Sequence, residues 1–296
     1  MVKALNLVSR IFMQKTLSLF LILLISPSLL FANGSDNGWQ SYKSKTELLL
    51  APRSDNMIGL TAYEQNYLMQ TFSNGNFYDQ KEMKHDEVKF QISLALPIWR
   101  HILGKNSVLA GSYTQQSWFQ LSNTANSSPF RETNYEPQLF LAWATHYALP
   151  FGWTLNEVET GFNHQSNGKS DEQLKSRSWN RLYARATASK GNWIVEIKPW
   201  WRIPEKSEDD DNPDITHYRG YFDLSVGYQY NQHQIKFTGH YNPRYNKGGL
   251  EVAYSYPITK YIRFYTQYYG GYGESLIDYN RNIQRIGIGI SLNNVF

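Results

Sequence analysis

Apolar side chains recur at every second position in several stretches of this 296-residue chain. Between residues 87 and 96 the apolar positions are Val88, Phe90, Ile92, Leu94 and Leu96, and more polar residues stand between them. The stretches 193–201 and 285–292 alternate in the same way. A period of two is that of a β-strand with one apolar face. The pattern therefore predicts an all-β protein.

Twelve segments can be drawn from this pattern, and nearly all are long enough to cross a bilayer as tilted strands. They are residues 57–73, 86–97, 107–121, 134–147, 152–165, 178–190, 192–203, 216–229, 232–242, 249–256, 261–273 and 283–293. An even number of antiparallel strands can close into a barrel that leaves no free edge.

The connections between these segments alternate in length. The mostly long and polar ones are 74–85, 122–133, 166–177, 204–215, 243–248 and 274–282, whereas the others are mostly short. Long loops on one side and tight turns on the other are typical of outer-membrane barrels. Residues 57–296 are therefore predicted to form a 12-stranded antiparallel transmembrane β-barrel.

The first 32 residues have the features of a secretory signal peptide. Lys3, Arg10 and Lys15 precede or flank an apolar run at 17–24, and small Ala32 offers a cleavage point. A membrane anchor is the less favoured alternative, because the run is short and Pro27 interrupts its surroundings. Residues 33–56 would then form a periplasmic N-terminal extension.

Composition and charge agree with an exported barrel. The chain has no cysteine, 16% aromatic residues and a polar average, and a membrane barrel is favoured over a secreted soluble β protein. Removing the three signal-peptide cations from a net charge of +4 leaves about +1. No basic surface for nucleic acid is therefore expected. The C-terminal Phe296 resembles the final aromatic residue common in barrels of the bacterial outer membrane.

The residues most suggestive of chemistry lie in one predicted hairpin. His164 and Ser166 are two apart and share one strand face, and Asn180 follows a polar loop on the returning strand. These residue types could serve as base, nucleophile and orienting amide. Alternate residues are roughly 6.6 Å apart along a strand, so a bulge, twist or strand end must bring the side chains together.

Whether this strand face points into the lumen or out toward lipid decides which class of substrate it can meet. If Glu157 and Glu159 face the lumen, His164, Ser166 and Asn180 face outward. A register that pairs His164 with Asn180 is self-consistent, and the hairpin loop is one of the long, outer ones. We therefore expect the three side chains on the lipid-facing rim at the extracellular side.

Other interpretations remain open at this point. A lone His near a strand end is usually an interfacial polar residue, and the acidic run at 208–211 is more often a solvated loop tip than a metal site. A passive outer-membrane porin needs no outward catalytic residues and is the main alternative function. An omptin-like surface protease, with Asp and His high in the lumen, is another.

Several long strings of residues resemble the outer membrane phospholipase A family. They comprise residues 86–91, 127–138, the hairpin from His164 to Asn180, 211–214 and 272–280. The resemblance covers most of the chain from residue 86 onward. It differs in a longer loop before Ser176 and in Lys169, where the family pattern has Arg.

This resemblance implies a calcium-dependent enzyme that hydrolyses the acyl esters of phospholipids, with phospholipase A1, A2 and lysophospholipase activity. By correspondence of motifs, Ser166 is the nucleophile, His164 the general base and Asn180 the residue that orients His164. The Gly168 amide would stabilise the oxyanion.

The resemblance also implies a metal ion and a second subunit. Ca²⁺ would be held by the Ser176 hydroxyl, the Lys169 carbonyl and a carbonyl from Ser127 of the partner subunit. Asp171 and Asp211 correspond to a second calcium site of the monomer, and Gln115 to a polar contact at the interface of an active homodimer.

Overall fold

The structure of the protein is a computed structural model that describes residues 42–51, 59–78, 83–123, 130–170 and 175–296. The predicted signal peptide, residues 1–32, lies outside these ranges, and so do Ser127 and Asp171. Within these ranges, no helix has the length and apolar character needed to span a membrane.

Strands dominate the described chain. Their bounds are β1 Thr61–Ala62, β2 Tyr67–Ser73, β3 Asp86–Arg100, β4 Ser107–Phe119, β5 Phe130–Leu149, β6 Trp153–Ser166, β7 Ser178–Lys190, β8 Trp193–Arg202, β9 Phe222–Tyr230, β10 His233–Asn242, β11 Lys247–Pro257, β12 Arg263–Gly271 and β13 Ile283–Ser291. Two short α-helices, α1 Lys45–Leu50 and α2 Ile215–Arg219, and a 3₁₀ turn at Pro150–Gly152 complete the described elements.

The twelve long strands β2 to β13 form a closed antiparallel barrel. Each pairs with its neighbour in sequence, and β13 returns to pair with β2, as in Ile288↔Gln70. The two-residue strand β1 pairs with β3 at Thr61↔Ala95, beyond the end of β2. The predicted fold class is therefore confirmed, and closure leaves no long edge unpaired.

Most strand bounds agree with the alternation, but two predicted spans were wrong in part. The segment 57–73 was expected to be a single strand, whereas it contains the short β1 and, after a break, β2 from Tyr67. The segment 216–229 was expected to be a single strand, whereas its first residues belong to helix α2 and β9 starts only at Phe222. Gly220, with φ of 62°, ends the helix in a conformation that favours glycine. The long connection between β8 and β9 therefore carries its own helix.

Charged side chains occupy the barrel interior. Arg185 forms ion pairs with Glu157 and Glu159, and Arg285 pairs with Glu87 at 2.8 Å. These groups are almost completely buried, which is tolerated only where opposite charges meet. The alternate strand positions point away from the interior. Among them, Phe162 and Leu182 are 40% and 47% exposed, so the outer face is apolar.

Helix α1 lies in the predicted N-terminal extension and packs into one end of the barrel. Ser44 and Glu47 form a capping box, and the Thr46 amide donates to Glu157 Oε2 at 3.0 Å. Arg100 donates to the Leu49 carbonyl at 2.8 Å. Arg100 ends β3 before a short turn, so α1 closes the end with the short connections. The periplasmic location of that end stays a prediction.

Candidate functional site

His164 and Asn180 face each other near the ends of β6 and β7. They are register partners in the antiparallel ladder, and His164 Nδ1 lies 2.8 Å from Asn180 Oδ1. The same ladder pairs Phe162 with Leu182, as the predicted register of His164 with Asn180 requires. Asn163, which lies between Phe162 and His164 on β6, is fully buried in the interior. The histidine and the amide therefore lie on the outward face of the barrel.

Ser166 is the last residue of β6 and shares this outward face. It pairs with Ser178 of β7 on one side and with Tyr135 of β5 on the other, and it is half-buried. Within the described residues, no hydrogen bond joins its hydroxyl to His164. Catalytic hydrogen bonds commonly tighten only when substrate binds. The structure thus brings together the His164 imidazole and the Asn180 amide, with the Ser166 hydroxyl two residues along the same face.

The chain turns sharply directly after Ser166. Buried Asn167 organises the turn, because its Nδ2 donates to the Lys175 carbonyl at 2.8 Å and its Oδ1 accepts from the Arg177 amide at 3.0 Å. Gly168 follows with φ of 62°, and a Cβ there would lie 3.1 Å from the Tyr135 ring. Both the backbone conformation and the close approach favour glycine at this position. Its exposed backbone lies two residues after Ser166.

Oxygen-bearing side chains gather beside this turn. The Ser176 hydroxyl donates to Asp211 Oδ2 at 2.6 Å, which joins the hairpin loop to the loop after β8. Lys169 Nζ donates to the Arg131 carbonyl at 2.7 Å and pairs with Glu132 at 2.8 Å. The ammonium group of Lys169 is thus bound to the start of β5.

The predicted calcium ligands are only partly represented in the structure. Ser176, Asp211 and Lys169 are described, but Ser127 and Asp171 are not. Over the described ranges, no three His, Cys, Asp or Glu side chains form a group that could hold a metal ion. Hydroxyl, carboxylate and backbone carbonyl oxygens are nevertheless the hard donors that calcium prefers, and Ser176 and Asp211 already converge. This donor set fits calcium.

One neighbour of the site was missed by the sequence analysis. Asn180 Nδ2 donates to Glu205 Oε1 at 3.0 Å, so the amide is bound on both sides. Glu205 lies in the long loop between β8 and α2, where no periodicity indicates which residue will meet the hairpin. Only the folded loop reveals this contact.

Gln115 is outward-facing and lies close to the site in the sheet. It pairs with Tyr135 of β5, and Tyr135 pairs with Ser166 of β6. Two strand spacings, roughly 10 Å, therefore separate the Gln115 and Ser166 backbones. The Gln115 amide donates to Ser117 Oγ at 3.2 Å and accepts from the Tyr113 hydroxyl at 3.2 Å.

The loop between β12 and β13, which carries Glu274 and Tyr279, folds into the barrel. Burial raises the pKa of Glu274, but the neighbouring Arg285 and Lys89 outweigh burial and lower the pKa to about 2. Glu274 accepts from Arg285 Nε at 2.8 Å and from Lys89 Nζ at 3.2 Å. Tyr279 of the same loop donates to Asp214, and burial followed by this hydrogen bond raises the pKa of its hydroxyl. The loop is thus fixed by buried polar contacts.

A closed β-barrel with a histidine–amide pair and a serine on its outer surface has the features of the membrane-embedded β-barrel hydrolases. The family model described as phospholipase A1 matches residues 37–292 of this chain. The chain therefore belongs to the phospholipase A1 family.

Curated relatives agree with this assignment. The phospholipase A1 of Klebsiella pneumoniae is 55% identical over 249 residues, covering 82% of this chain and 85% of the relative. The phospholipase A1 of Escherichia coli K12 is also 55% identical, covering 82% of this chain and 84% of the relative.

Solved structures share the fold as well. The Salmonella typhi outer membrane phospholipase, solved as a dimer with bound calcium, has a TM-score of 0.80 and 52% identity. The match covers 86% of this chain and 98% of that one. An active-site mutant of the Escherichia coli enzyme, with an asparagine replaced by alanine, has a TM-score of 0.79 and 51% identity over 85% of this chain and 98% of that one. The predicted family, the enzyme class and the outer-membrane barrel are thus confirmed.

Proposed function

We propose that this protein hydrolyses the acyl esters of phospholipids at the lipid-facing rim of the barrel, with Ser166 as nucleophile. The observation that carries the proposal is the hydrogen bond between His164 and Asn180 on the outward face, with Ser166 on the same face of β6. A site on the outside of a barrel meets lipid rather than solutes in a pore. This location favours a phospholipid substrate over a soluble one.

The proposed reaction has two steps. The Ser166 oxygen attacks the ester carbonyl carbon while His164 Nε2 takes the hydroxyl proton; the ester bond to the glycerol oxygen then breaks, and that oxygen receives the proton. A lysophospholipid leaves. Water then attacks the acyl carbon with His164 again as base; the bond from that carbon to the Ser166 oxygen breaks, this oxygen receives the proton from His164, and the fatty acid leaves. Attack at either acyl position, or on a lysophospholipid, needs the same residues.

Gly168 and Asn180 have supporting roles in this reaction. The backbone N–H of Gly168, in the turn after the nucleophile, is the proposed donor to the oxyanion that forms on the carbonyl oxygen. Asn180 Oδ1 accepts from His164 Nδ1, so that the proton lies on Nδ1 and Nε2 is free to act as base. Asn180 thereby fixes the tautomer and the ring orientation.

The proposed cofactor is Ca²⁺, which is bound in the Salmonella typhi relative. In this chain the Ser176 hydroxyl and the Lys169 carbonyl would hold the ion together with Ser127 of the partner subunit. Asp211, with Asp171, would hold calcium in the monomer. When bound, calcium supplies positive charge near the developing oxyanion.

The proposed active form is a homodimer with Gln115 in its interface. A polar amide on the lipid-facing surface costs free energy unless a partner covers it. Because Gln115 and Ser166 lie on one row of paired residues, a subunit covering Gln115 would also reach the nucleophile. The relative from Salmonella typhi was solved as a dimer.

The extracellular side is the proposed location of the site in the outer membrane. The hairpin from β6 to β7 belongs to the set of long connections, whereas α1 closes the end with the short ones. Long loops face outward in barrels of this kind. The substrate would then be phospholipid in the outer leaflet.

The test is the hydrolysis of phospholipid in mixed micelles with calcium by Ser166→Ala and by Ser207→Ala, which changes an exposed serine of the β8–α2 loop. We expect Ser166→Ala to lose at least about a thousandfold in kcat while the barrel stays folded by circular dichroism. Ser207→Ala should keep full activity. Full activity of folded Ser166→Ala would reject the proposed nucleophile.

A further inference from the structure

The side-chain amide of Asn180 is bound at both of its ends. Its oxygen lies 2.8 Å from His164 Nδ1, and its nitrogen donates to Glu205 Oε1 at 3.0 Å. Glu205 is half-buried and therefore partly shielded from water. A continuous chain of hydrogen bonds thus runs from the carboxylate to the imidazole.

A carboxylate at this place permits only one orientation of the amide. If the Asn180 amide were flipped, its oxygen would face Glu205 Oε1, and two acceptors cannot form a hydrogen bond. With the nitrogen held by Glu205, the Asn180 oxygen must face His164. An oxygen there accepts only from a protonated Nδ1, so Nε2 of the imidazole is left as the base.

The backbone near Glu205 is tied directly to Asn180. The Ile203 amide donates to the Asn180 carbonyl at 2.8 Å, which extends the β7–β8 pairing past the end of β8. Proline at 204 limits the backbone freedom between this bond and Glu205. The carboxylate therefore reaches Asn180 from a short, anchored stretch.

The rest of the loop is anchored on the same strand end. Arg202 Nη2 donates to Asp210 Oδ1 at 2.6 Å, and the Ser178 amide donates to Asn212 Oδ1 at 3.0 Å. Asn212 is fully buried. These contacts hold the loop over the end of β7, where Asn180 lies.

We propose that Glu205 is a positioning residue that orients the Asn180 amide toward His164 and supplies the negative charge that the neutral Asn180 lacks. The inference rests on the proposed function of the His164, Ser166 and Asn180 set. In a triad with a carboxylate, that charge stabilises the imidazolium that forms during the reaction. Here the carboxylate lies one hydrogen bond further away and acts through the polarised amide.

The first test compares Glu205→Ala with Glu208→Ala, which removes an exposed carboxylate from the same loop. For Glu205→Ala we expect kcat for phospholipid hydrolysis to fall about tenfold, with KM unchanged, because the lost hydrogen bond acts on His164 and not on substrate binding. Glu208→Ala should match the wild type. Equal kcat in both variants would overturn the proposal.

The second test asks whether Glu205→Gln changes activity in opposite directions in the wild type and in Asn180→Asp. Asn180→Asp places a second carboxylate beside Glu205, and the two like charges repel, so we expect low activity. Adding Glu205→Gln should raise the activity of Asn180→Asp, because the glutamine amide can donate to the new carboxylate. In the wild-type background, Glu205→Gln should instead lower kcat. If Glu205→Gln changed activity in the same direction in both backgrounds, a direct contact between the side chains at positions 180 and 205 would be contradicted.

A spectroscopic measurement separates positioning from a loss of fold. In detergent-solubilised protein with ¹⁵N-labelled histidine, the nitrogen shifts of His164 should report a proton on Nδ1. Glu205→Ala should show a mixture of the two tautomers, because the Asn180 amide is then free to flip. A folded Glu205→Ala protein with an unchanged tautomer would reject the inference, even if its activity had fallen.

Failure of this inference and failure of the proposed function can be told apart. If Ser166→Ala is inactive and the Glu205 variants behave as wild type, the proposed function stands and only the role of Glu205 is rejected. If Ser166→Ala keeps full activity, the proposed function itself is rejected.

Discussion

Nδ1 of His164 and Oδ1 of Asn180 lie 2.8 Å apart across one pair of the β6–β7 ladder. Each residue is held by its own strand, so sheet pairing places the two backbones opposite each other and brings the imidazole within reach of the amide. A site built on paired strands is positioned more precisely than one built on loops. The amide can therefore hold the ring orientation before any substrate arrives.

Removing this amide should slow the reaction without unfolding the barrel. For Asn180→Ala we expect kcat for phospholipid hydrolysis to fall about 10- to 100-fold, since a hydrogen bond to a group that becomes charged is lost. KM should stay unchanged. The matched control is Asn192→Ala in the short turn between β7 and β8. A kcat equal to that of the control would show that Asn180 plays no part in the reaction.

The pairing of His164 with Asn180 could be predicted because the strand period leaves few choices. Placing Glu157 and Glu159 inside forces His164 outward, and pairing the apolar outward residues fixes the register. The same reasoning failed at the start of β9. Helix α2 has too few residues to show a helical period, so the segment was assigned to the following strand.

Other features left a weaker signal or none in the sequence. Ser44 and Glu47 have the spacing of a capping box and could have indicated α1 within the predicted extension. Glu205 gave no such indication, because loop contacts depend on how the whole loop folds. The membrane side of the site and the calcium ligands also depend on loops, and they stay predictions.

Calcium removal should abolish activity and leave the barrel intact. With EDTA we expect no hydrolysis of phospholipid and an unchanged circular dichroism spectrum, because the proposed ligands lie in loops. Ser176→Ala should raise the calcium concentration needed for half-maximal activity by about tenfold or more. Ser207→Ala is the control. An enzyme fully active in EDTA would contradict a calcium requirement.

Gln115 offers a test of the dimer. Gln115→Leu replaces a lipid-facing amide with an apolar side chain, so the monomer should fold normally while the subunit contact is weakened. We expect a smaller dimer fraction by analytical ultracentrifugation in detergent with calcium, and lower activity at low protein concentration. Thr266→Leu, an outward polar-to-apolar change on β12, is the control. A Gln115→Leu dimer as stable as the control dimer would place the interface elsewhere.

The buried ion pairs of Glu274 predict a pH dependence of stability. Its pKa is lowered from 4.5 to about 2, so the folded state binds fewer protons at this group than the unfolded state does. The stabilisation is therefore complete above about pH 4.5 and is lost as the pH falls through about 2.

Glu274→Gln should remove this dependence, leaving Arg285 with Glu87 alone and depriving Lys89 of its carboxylate partner. Breaking a buried pair from one side costs about 3–5 kcal/mol in the free energy of unfolding. We expect urea unfolding in detergent to show that loss at pH 7 and a smaller difference from wild type at pH 2–3. Glu208→Gln, an exposed carboxamide substitution, controls for the change of net charge. If Glu274→Gln were as stable as this control at pH 7, the buried pairs would not be a net source of stability, and the acid dependence would have to come from other carboxylates.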